Sequence, residues 1–297
     1  MRILVAGWHG QVARALSSRV ANRSDVVAYA VGRAAQDLSG TPGIAQTLFG
    51  IAPEVIVNAA GYMNVDGAED EPEEALHQNM AGAAQLAALA ARRNLPIIHL
   101  STAHVYSGEK QGAYSESDAA HPLNAYGRSK LESERALAEA NPRHVILRTA
   151  WIYSPFGQNF VKSILERAAR DSEIPLVDDQ YGSPTYALHL ADAILQICKQ
   201  ITTSPSEEYW GIYHAAGSGT ASWHDIAEFV FKTSSALGGP SATARPISHS
   251  SYQTRSRRPE NSRLDCAKLE SVFGVEFPDW HLGVDDCLRH LLEARPC

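Results

Sequence analysis

The sequence predicts an α/β protein built on a Rossmann-type doubly wound parallel sheet, with a smaller C-terminal lobe. Three observations predict this class. Strand-like and helical segments alternate over the first 150 residues, a glycine-rich turn follows the first segment, and the regularity is lost after about residue 150. Because strand–helix–strand alternation gives right-handed crossovers, we expect parallel strands with helices on both faces of the sheet.

The predicted elements follow from composition and hydrophobic pattern. Short apolar segments rich in β-branched residues are predicted strands: residues 2–6, 26–30, 54–58, 96–100 and 144–148. The predicted helices of the first half are residues 11–21, 73–93 and 126–140. Pro, Gly and Ser are frequent in the second half, where the predicted helices are residues 159–170, 187–200, 222–233 and 266–273. We expect one domain over residues 1–150 and a lobe formed mainly by residues 151–297, with the chain crossing between them more than once.

Composition and charge argue against several classes of protein. The net charge is −7 and the pI about 5.9, so no overall positive field favours nucleic acid or an anionic membrane. No apolar run reaches the roughly 18 residues of a membrane-spanning helix, and the N-terminal apolar segment is too short for a signal peptide. The cysteines are scattered without a C-x-x-C pair, which argues against disulfides and zinc and favours a reducing cytoplasm: Cys198, Cys266, Cys287 and Cys297.

The first predicted strand runs into Gly7-Trp-His-Gly10-Gln-Val-Ala13, which has the G-x-x-G-x-x-A spacing of a nucleotide-binding turn. Gly7 permits the tight turn, Gly10 lets the backbone approach a pyrophosphate, and Ala13 is small enough for the next helix to pack on the strand. Backbone N–H groups and the helix N-terminus then stabilise the phosphates. The alternative is a glycine-rich turn that binds nothing.

Residues that follow the second and third predicted strands are candidates for contacts with the dinucleotide. Arg33 lies near the position where an NAD-binding protein usually has an acidic residue. Its guanidinium can bind a 2′-phosphate through paired donors, and the alternative is that it is a solvated surface charge. Asp37 and Leu38 can contact adenine from the next loop, although Asp37 can equally cap that loop. Ala60 and Gly61 suit a backbone close to a cofactor ribose, and equally a crowded strand end. NADP(H) is favoured, with NAD(H) as the alternative.

The chemistry is predicted from Thr102, Tyr126 and Lys130. Tyr126 and Lys130 are four residues apart on one predicted helix and share a face, and Thr102 follows the fourth strand. We expect the ammonium to stabilise tyrosinate and lower the pKa of Tyr126 below its usual value of about 10. The phenol can then exchange a proton with a substrate oxygen that Thr102 also binds, while a nicotinamide exchanges hydride and Lys130 binds its ribose. The alternative is an exposed helix pair.

With these features in this order, the chain resembles the extended short-chain dehydrogenase/reductases, and within them the dTDP-4-dehydrorhamnose reductase family. The resemblance covers nearly the whole length, and several of its motifs lie in the second half. They are GQV at residues 10–12, VNAAGYMNVD at 57–66, PLNAYGRSK at 122–130, LRTAWIYSPFG at 147–157, DDQYGSPT at 178–185 and RPENSRL at 258–264.

The resemblance implies NADPH-dependent reduction of the C4 ketone of dTDP-4-dehydro-β-L-rhamnose to dTDP-β-L-rhamnose, the last step in making this activated sugar. It implies an NADP(H)-binding domain followed by a substrate-binding lobe, with Tyr126 as proton donor and Thr102 and Lys130 completing the triad. It also implies contacts with the pyrophosphate by Gly10, Gln11 and Val12, with the adenosine by Asp37 and Leu38, along the cofactor by Gly61, Tyr62 and Met63, and with the sugar by Val65 and Trp151.

The chain departs from the family pattern in two places. Ala103 and His104 stand in the substrate pocket where the family usually has Asp and Tyr, which bears on the identity of the sugar more than on the reaction type. Some members also bind magnesium at a dimer interface through glutamates. The corresponding residues here are Ala15, Leu188 and His290, which cannot form a site of oxygen ligands. We expect no such magnesium site. Whether the chain forms a homodimer is left open.

Two other functions stay open. A related enzyme would reduce or epimerise another nucleotide 4-keto sugar, as the residues at positions 103 and 104 suggest. A non-catalytic regulatory subunit would keep the fold and the NADP(H) pocket, as some reductase-like partners of methionine adenosyltransferase do. The presence of both Tyr126 and Lys130 argues against the subunit. For either enzyme the expected partner is a nucleotide sugar.

Overall fold

The computed structural model describes residues 1–32 and 50–293. In chain order its strands are β1 (Arg2–Ala6), β2 (Val27–Val31), β3 (Val55–Asn58), β4 (Ile97–Thr102), β5 (His144–Thr149), β6 (Ile152–Tyr153), β7 (Glu173–Val177), β8 (Tyr181–Gly182), β9 (Thr185–Tyr186), β10 (Gly211–His214), β11 (Ala221–Ser222), β12 (Thr243–Ile247) and β13 (Asn261–Ser262). Its α-helices are α1 (Gln11–Val20), α2 (Gly67–Asp70), α3 (Pro72–Leu76), α4 (Gly82–Ala91), α5 (Ala125–Ala140), α6 (Phe160–Ala168), α7 (Ala187–Thr203), α8 (Trp223–Ala236), α9 (Ala267–Phe273) and α10 (Trp280–Glu293).

The central sheet has six strands in the order β2-β1-β3-β4-β5-β10, and every neighbouring pair is parallel. From β1 the chain first adds β2 on one side and then β3 on the other, so the winding direction reverses between β1 and β3. A crevice at the carboxyl ends of the strands is expected at such a reversal, and it is where ligands bind in open α/β sheets. The prediction of a doubly wound Rossmann-type sheet is confirmed.

Helices cover both faces of the sheet, which explains the nearly continuous apolar sequence of its strands. On one face, α1 and α7 pack together over a core that includes Val5, Leu16 and Ile194. On the other, α4 and α5 pack over a separate core that includes Ile56 and Leu137. The sheet is therefore a rigid platform, and the loops at its carboxyl edge are held from both sides.

The structure differs from the sequence-based expectations in two ways. The single helix predicted over residues 73–93 is interrupted between α3 and α4 by a π-helical turn, His77–Ala81. Strands β6 to β13 and helices α2 and α10 were not predicted: β10, for example, is only four residues long and begins at Gly211, and α10 mixes acidic residues into its apolar pattern. Because β10 pairs with β5, the second half of the chain contributes a strand to the central sheet. Within residues 1–32 and 50–293, no helix is both long and apolar enough to span a membrane.

Candidate active site

A cavity of about 870 Å³ opens at the carboxyl ends of the central strands. This volume is typical of small-molecule sites. The cavity brings together most of the residues predicted for the site: Gly10, Gln11, Val12, Ala60, Met63, Val65, Thr102, Ala103, His104, Tyr126, Lys130 and Trp151. Three predicted residues do not line it, namely Gly7, Gly61 and Tyr62. Three others lie outside the described residues: Arg33, Asp37 and Leu38.

The glycine turn has the geometry that a bound pyrophosphate requires. Gly7 adopts φ +117°, and its N–H donates to the Val31 carbonyl at 3.0 Å. A Cβ at this position would lie 2.8 Å from the Ala59 carbonyl oxygen, so a side chain is excluded on space as well as on conformation. Gly10 precedes α1, whose first N–H groups have no acceptor within the helix and stand at the cavity wall. These residues therefore fit the phosphates of a dinucleotide.

Gln11 connects the glycine turn to the second half of the chain. Its side-chain oxygen accepts hydrogen bonds from Ser154 Oγ at 2.8 Å and from Asn159 Nδ2 at 3.1 Å. Asn159 also caps α6 by accepting from the Lys162 N–H. Sequence reasoning missed Ser154 and Asn159 as supports of the turn. An asparagine at the start of the predicted helix 159–170 was the signal available for Asn159, because asparagine is a favoured N-cap residue.

The π-helical turn supports the strand end that follows β3. Asn79 lies in this turn and is buried. Its side-chain oxygen accepts from the Tyr62 N–H at 2.8 Å, and its Nδ2 donates to Ser129 Oγ at 2.8 Å. Ser129 Oγ in turn donates to the Tyr126 carbonyl at 2.8 Å. Asn79, which the sequence reasoning missed, thus ties the β3 loop to the helix that carries Tyr126. The Tyr62 side chain turns away to Glu71, at 3.1 Å.

The three residues predicted for the chemistry converge on the cavity. Tyr126 and Lys130 lie on α5, one turn apart, and both are buried and line the cavity. Lys130 Nζ donates to the Leu100 carbonyl at 2.7 Å. Thr102 ends β4, and its Oγ1 accepts from the His104 N–H at 3.2 Å, which leaves the hydroxyl proton available for another acceptor. The sequence therefore placed all three side chains at one site.

The pKa of Tyr126 moves in the opposite direction to the one predicted from the sequence. Burial raises the pKa of Tyr126 to about 12, although the Thr102 hydroxyl lowers it. Burial also lowers the pKa of Lys130 to about 8, against an opposing effect of Glu134. The prediction that Lys130 lowers the pKa of Tyr126 is wrong for this structure, because desolvation dominates and Lys130 is bonded to Leu100. At neutral pH the pair is a neutral phenol beside an ammonium.

A buried polar layer lies beneath the Lys130 end of the site. Glu134 receives two hydrogen bonds from Arg148, at 2.9 and 2.6 Å, and one from Ser101 Oγ. Arg148 also donates to Tyr106 Oη at 2.7 Å, and Tyr106 Oη lies 2.7 Å from His214 Nε2. The carboxylate and guanidinium are almost fully buried, so each compensates the charge of the other. This layer was not predicted, because it joins α5, β5 and β10 across long sequence separations.

Aromatic side chains form another part of the cavity wall. Trp151 lines the cavity with φ +46°, a backbone conformation that is costly for a residue with a large side chain. Its ring stacks on Trp223 with centroids 3.7 Å apart, and Gly182 packs beneath it, where a Cβ would approach the indole to 2.5 Å. Phe160 packs against Trp223, and Val65 lines the same cavity. Trp151, predicted to line the sugar pocket, lines this cavity, and Trp223 and Phe160, which were not predicted, line it too.

Two further polar groups face the cavity near Tyr126. The His104 ring lies edge-on to Tyr126 with centroids 5.6 Å apart, whereas Ala103 is buried and packs in a small apolar cluster. Thr149 ends β5 directly beside Thr102. Its Oγ1 is buried, lines the cavity and has no hydrogen-bond partner among the described residues. This hydroxyl is therefore free to pair with a polar group of a molecule bound in the cavity.

The positions that correspond to the family's magnesium ligands carry other side chains here. Ala15 and Leu188 are buried in the apolar core, where α1 packs on α7. His290 lies on α10 and is exposed, with its ring near Phe156. None of the three offers the carboxylate oxygen that a magnesium ion prefers.

Comparisons with known proteins agree with this geometry. The profile of the family described as "RmlD substrate binding domain" matches residues 1–293. The dTDP-4-dehydrorhamnose reductase of Sinorhizobium fredii is 44% identical over 280 residues, 94% of each chain. That of Escherichia coli K12 is 37% identical over 98% of each chain. The crystal structure of dTDP-4-dehydrorhamnose reductase from Bacillus anthracis in complex with NADP superposes with a TM-score of 0.88 at 28% identity, covering 96% of this chain and 98% of that one. The chain therefore belongs to the RmlD substrate-binding-domain family.

Proposed function

We propose that this protein reduces the C4 ketone of dTDP-4-dehydro-β-L-rhamnose to dTDP-β-L-rhamnose with NADPH, the last step in forming this activated sugar. One observation carries the proposal: Thr102, Tyr126 and Lys130 line a single cavity together with Gly10 of the glycine turn. A proton donor and a dinucleotide site within one crevice are what a carbonyl reduction requires. The identity of the sugar substrate is proposed from the names of the relatives.

The residues present fit NADP(H). The turn from Gly7 to Gly10 and the first N–H groups of α1 would hold the pyrophosphate, and Lys130 would reach the nicotinamide ribose. The unpartnered Thr149 hydroxyl would receive a hydrogen bond from a polar group of the ligand. When bound, the reduced nicotinamide supplies the hydride. We favour NADP(H) over NAD(H) because a related structure contains NADP and because Arg33 is predicted to meet the 2′-phosphate.

In the direction of reduction, Tyr126 is the proton donor. With its pKa raised to about 12, the phenol carries its proton at neutral pH, which is the form a general acid needs. The proton passes from Tyr126 Oη to the oxygen that gains negative charge as the carbonyl is reduced. The hydroxyl of Thr102, which lowers the pKa of Tyr126, then stabilises the resulting tyrosinate.

The aromatic wall would bind the sugar. Trp151 offers an apolar surface to the deoxy face and an indole N–H to a hydroxyl, and its stacking on Trp223 fixes the ring. Val65 would close the pocket on the other side. Ala103 and His104 favour a second candidate, a reductase of another nucleotide 4-keto sugar, because these two side chains differ from those usual in the family.

We propose that the enzyme works in the cytoplasm. Cys198, Cys266 and Cys287 are free thiols in the structure, and burial raises the pKa of each. Buried thiols of this kind resist oxidation and need no oxidising compartment. A homodimer remains a prediction, which sedimentation of the purified protein tests.

The test compares NADPH and NADH oxidation with dTDP-4-dehydrorhamnose for the wild type and Tyr126→Phe. We expect kcat to fall by roughly 10²–10⁴ in the variant, the usual contribution of a general acid. Tyr209→Phe is the matched control, because Tyr209 does not line the cavity. A Tyr126→Phe variant as active as the wild type would refute the role of Tyr126. Turnover of a different keto sugar alone would favour the second candidate, and NADPH binding without turnover of any keto sugar would contradict both.

A further inference from the structure

His104 stands next to the proposed proton donor in an arrangement that fixes its hydrogen-bonding role. Its ring is nearly perpendicular to that of Tyr126, at 79°, and lines the same cavity. Its Nδ1 lies 3.1 Å from Nδ2 of Asn124, the residue that precedes α5. A histidine can be a donor or an acceptor at either nitrogen, so the orientation of the Asn124 amide decides the role of each one.

The orientation of that amide is set by two other hydrogen bonds. Asn124 Oδ1 accepts from the Gly127 N–H at 2.7 Å and so caps α5. Asn124 Nδ2 donates to the Arg257 carbonyl at 3.0 Å. Turning the amide over would set its NH₂ against an N–H and its oxygen against a carbonyl, at a residue that is almost fully buried. Because Nδ2 can only donate, His104 Nδ1 must accept, and the proton of the neutral ring is on Nε2.

The ring is neutral and lines the cavity, and Nε2 is the nitrogen that Asn124 leaves for a ligand. Burial lowers the pKa of His104 to about 4, and Arg258 lowers it further. Nε2 makes no hydrogen bond to any residue in the described parts of the chain. The only part of this imidazole left to bind a ligand in the cavity is therefore an N–H donor. A tyrosine, the usual residue of the family here, can both donate and accept.

We propose that Asn124 holds His104 in its Nε2–H form so that the imidazole donates a hydrogen bond to an oxygen of the bound keto sugar beside the carbonyl that Tyr126 protonates. This inference rests on the proposed function for the identity of the ligand. It makes His104 a specificity-determining residue and Asn124 a positioning residue. A donor with a fixed direction selects sugars that present an oxygen at that place, because a deoxy sugar there would leave the N–H unpaired.

The tautomer is measured directly and without turnover. Protein labelled with ¹⁵N at histidine is examined by long-range ¹H–¹⁵N NMR with NADPH present, and the His104 signal is assigned by its loss in His104→Phe. We expect Nε2 to be protonated in the wild type and Nδ1 in Asn124→Asp, because the carboxylate keeps an acceptor for the Gly127 N–H but needs a donor from the ring. Protonated Nδ1 in the wild type would overturn the proposal, whatever sugar the enzyme reduces.

The donor role is measured by binding and kinetics. His104→Phe keeps an aromatic ring against Tyr126 and removes the N–H. We expect the dissociation constant of dTDP-β-L-rhamnose to rise and kcat/KM to fall, each about tenfold, the effect of one neutral hydrogen bond. His104→Tyr restores a donor and should recover most of the loss, which a purely structural effect would not. Unchanged binding and kcat/KM in His104→Phe would overturn the proposal. If the wild type does not turn over dTDP-4-dehydrorhamnose, the proposed function is refuted, whereas the tautomer measured by NMR is unaffected.

Discussion

Lys130 places a positive charge in the interior, and Lys130→Met measures what that charge costs the fold. The lysine is 3% exposed, and burial lowers its pKa to about 8, compared with about 10.4 for an exposed lysine. At about 1.4 kcal/mol per pH unit, keeping the ammonium in the folded protein at neutral pH costs roughly 3 kcal/mol. Methionine has a similar length and carries no charge. It also loses the bond to the Leu100 carbonyl, which contributes roughly 1.5–3 kcal/mol.

These opposing effects nearly cancel at pH 7, so the pH dependence is the informative quantity. Above about pH 8 the folded protein releases the Lys130 proton, whereas the unfolded chain keeps it up to about pH 10.4. In that window the unfolded state binds more protons, so the stability of the wild type rises with pH. The methionine variant has no such group. The wild type should therefore gain roughly 2–3 kcal/mol relative to Lys130→Met between pH 7 and pH 10.

Urea unfolding of the ligand-free proteins, followed by tryptophan fluorescence, measures this difference. Lys199→Met is the matched control, because Lys199 is exposed on α7 and its charge stays in water in both states. The control should keep a constant offset from the wild type across the pH range. A difference between the wild type and Lys130→Met that stays constant within about 0.5 kcal/mol would refute the burial argument.

Three further substitutions test other parts of the account. Gly7→Ala should cost roughly 1–3 kcal/mol of stability and weaken NADPH binding, measured by calorimetry, because its Cβ meets the backbone at φ +117°. Glu134→Gln should lower the free energy of unfolding by roughly 3–5 kcal/mol in denaturant, because Arg148 is then left without a counter-charge. Gly182→Ala should raise the KM for the sugar nucleotide about tenfold and leave the Kd of NADPH unchanged, because the new methyl displaces Trp151 from the cavity wall.

Each of these has an outcome that contradicts it. Normal NADPH affinity in Gly7→Ala would show that the turn does not hold the pyrophosphate. A Glu134→Gln variant as stable as the wild type would mean that the guanidinium of Arg148 is hydrated rather than compensated by the carboxylate. An equal loss of NADPH and sugar binding in Gly182→Ala would point to general unfolding of the second half of the chain.

The first five strands of the chain and the meeting of Thr102, Tyr126 and Lys130 at one cavity were predictable from local sequence. Each predicted strand of the sheet overlaps its observed counterpart, because short β-branched segments buried on both faces have a simple pattern. The glycine turn was readable because conformation and close approach permit few residues at Gly7. Tyr126 and Lys130 were readable because residues four apart on a helix share a face.

What the sequence could not show depends on contacts between distant segments. Asn79 acquires its role from a π-helical turn that helical periodicity does not reveal, and from partners 17 and 50 residues away. Trp223 lines the cavity and stacks on Trp151, which is 72 residues earlier in the chain. The pKa of Tyr126 was predicted in the wrong direction because spacing reports which side chains are neighbours, whereas burial depends on the whole fold.

The transfer of hydride from the nicotinamide to the sugar is the central claim, and an isotope label tests it most directly. The enzyme is incubated with dTDP-4-dehydrorhamnose and NADPH deuterated at either the pro-R or the pro-S position of nicotinamide C4. We expect one of the two cofactors, and only one, to give dTDP-β-L-rhamnose that is heavier by one mass unit, with deuterium bonded to C4 of the sugar. Product without deuterium from both cofactors, or no product, would contradict the account.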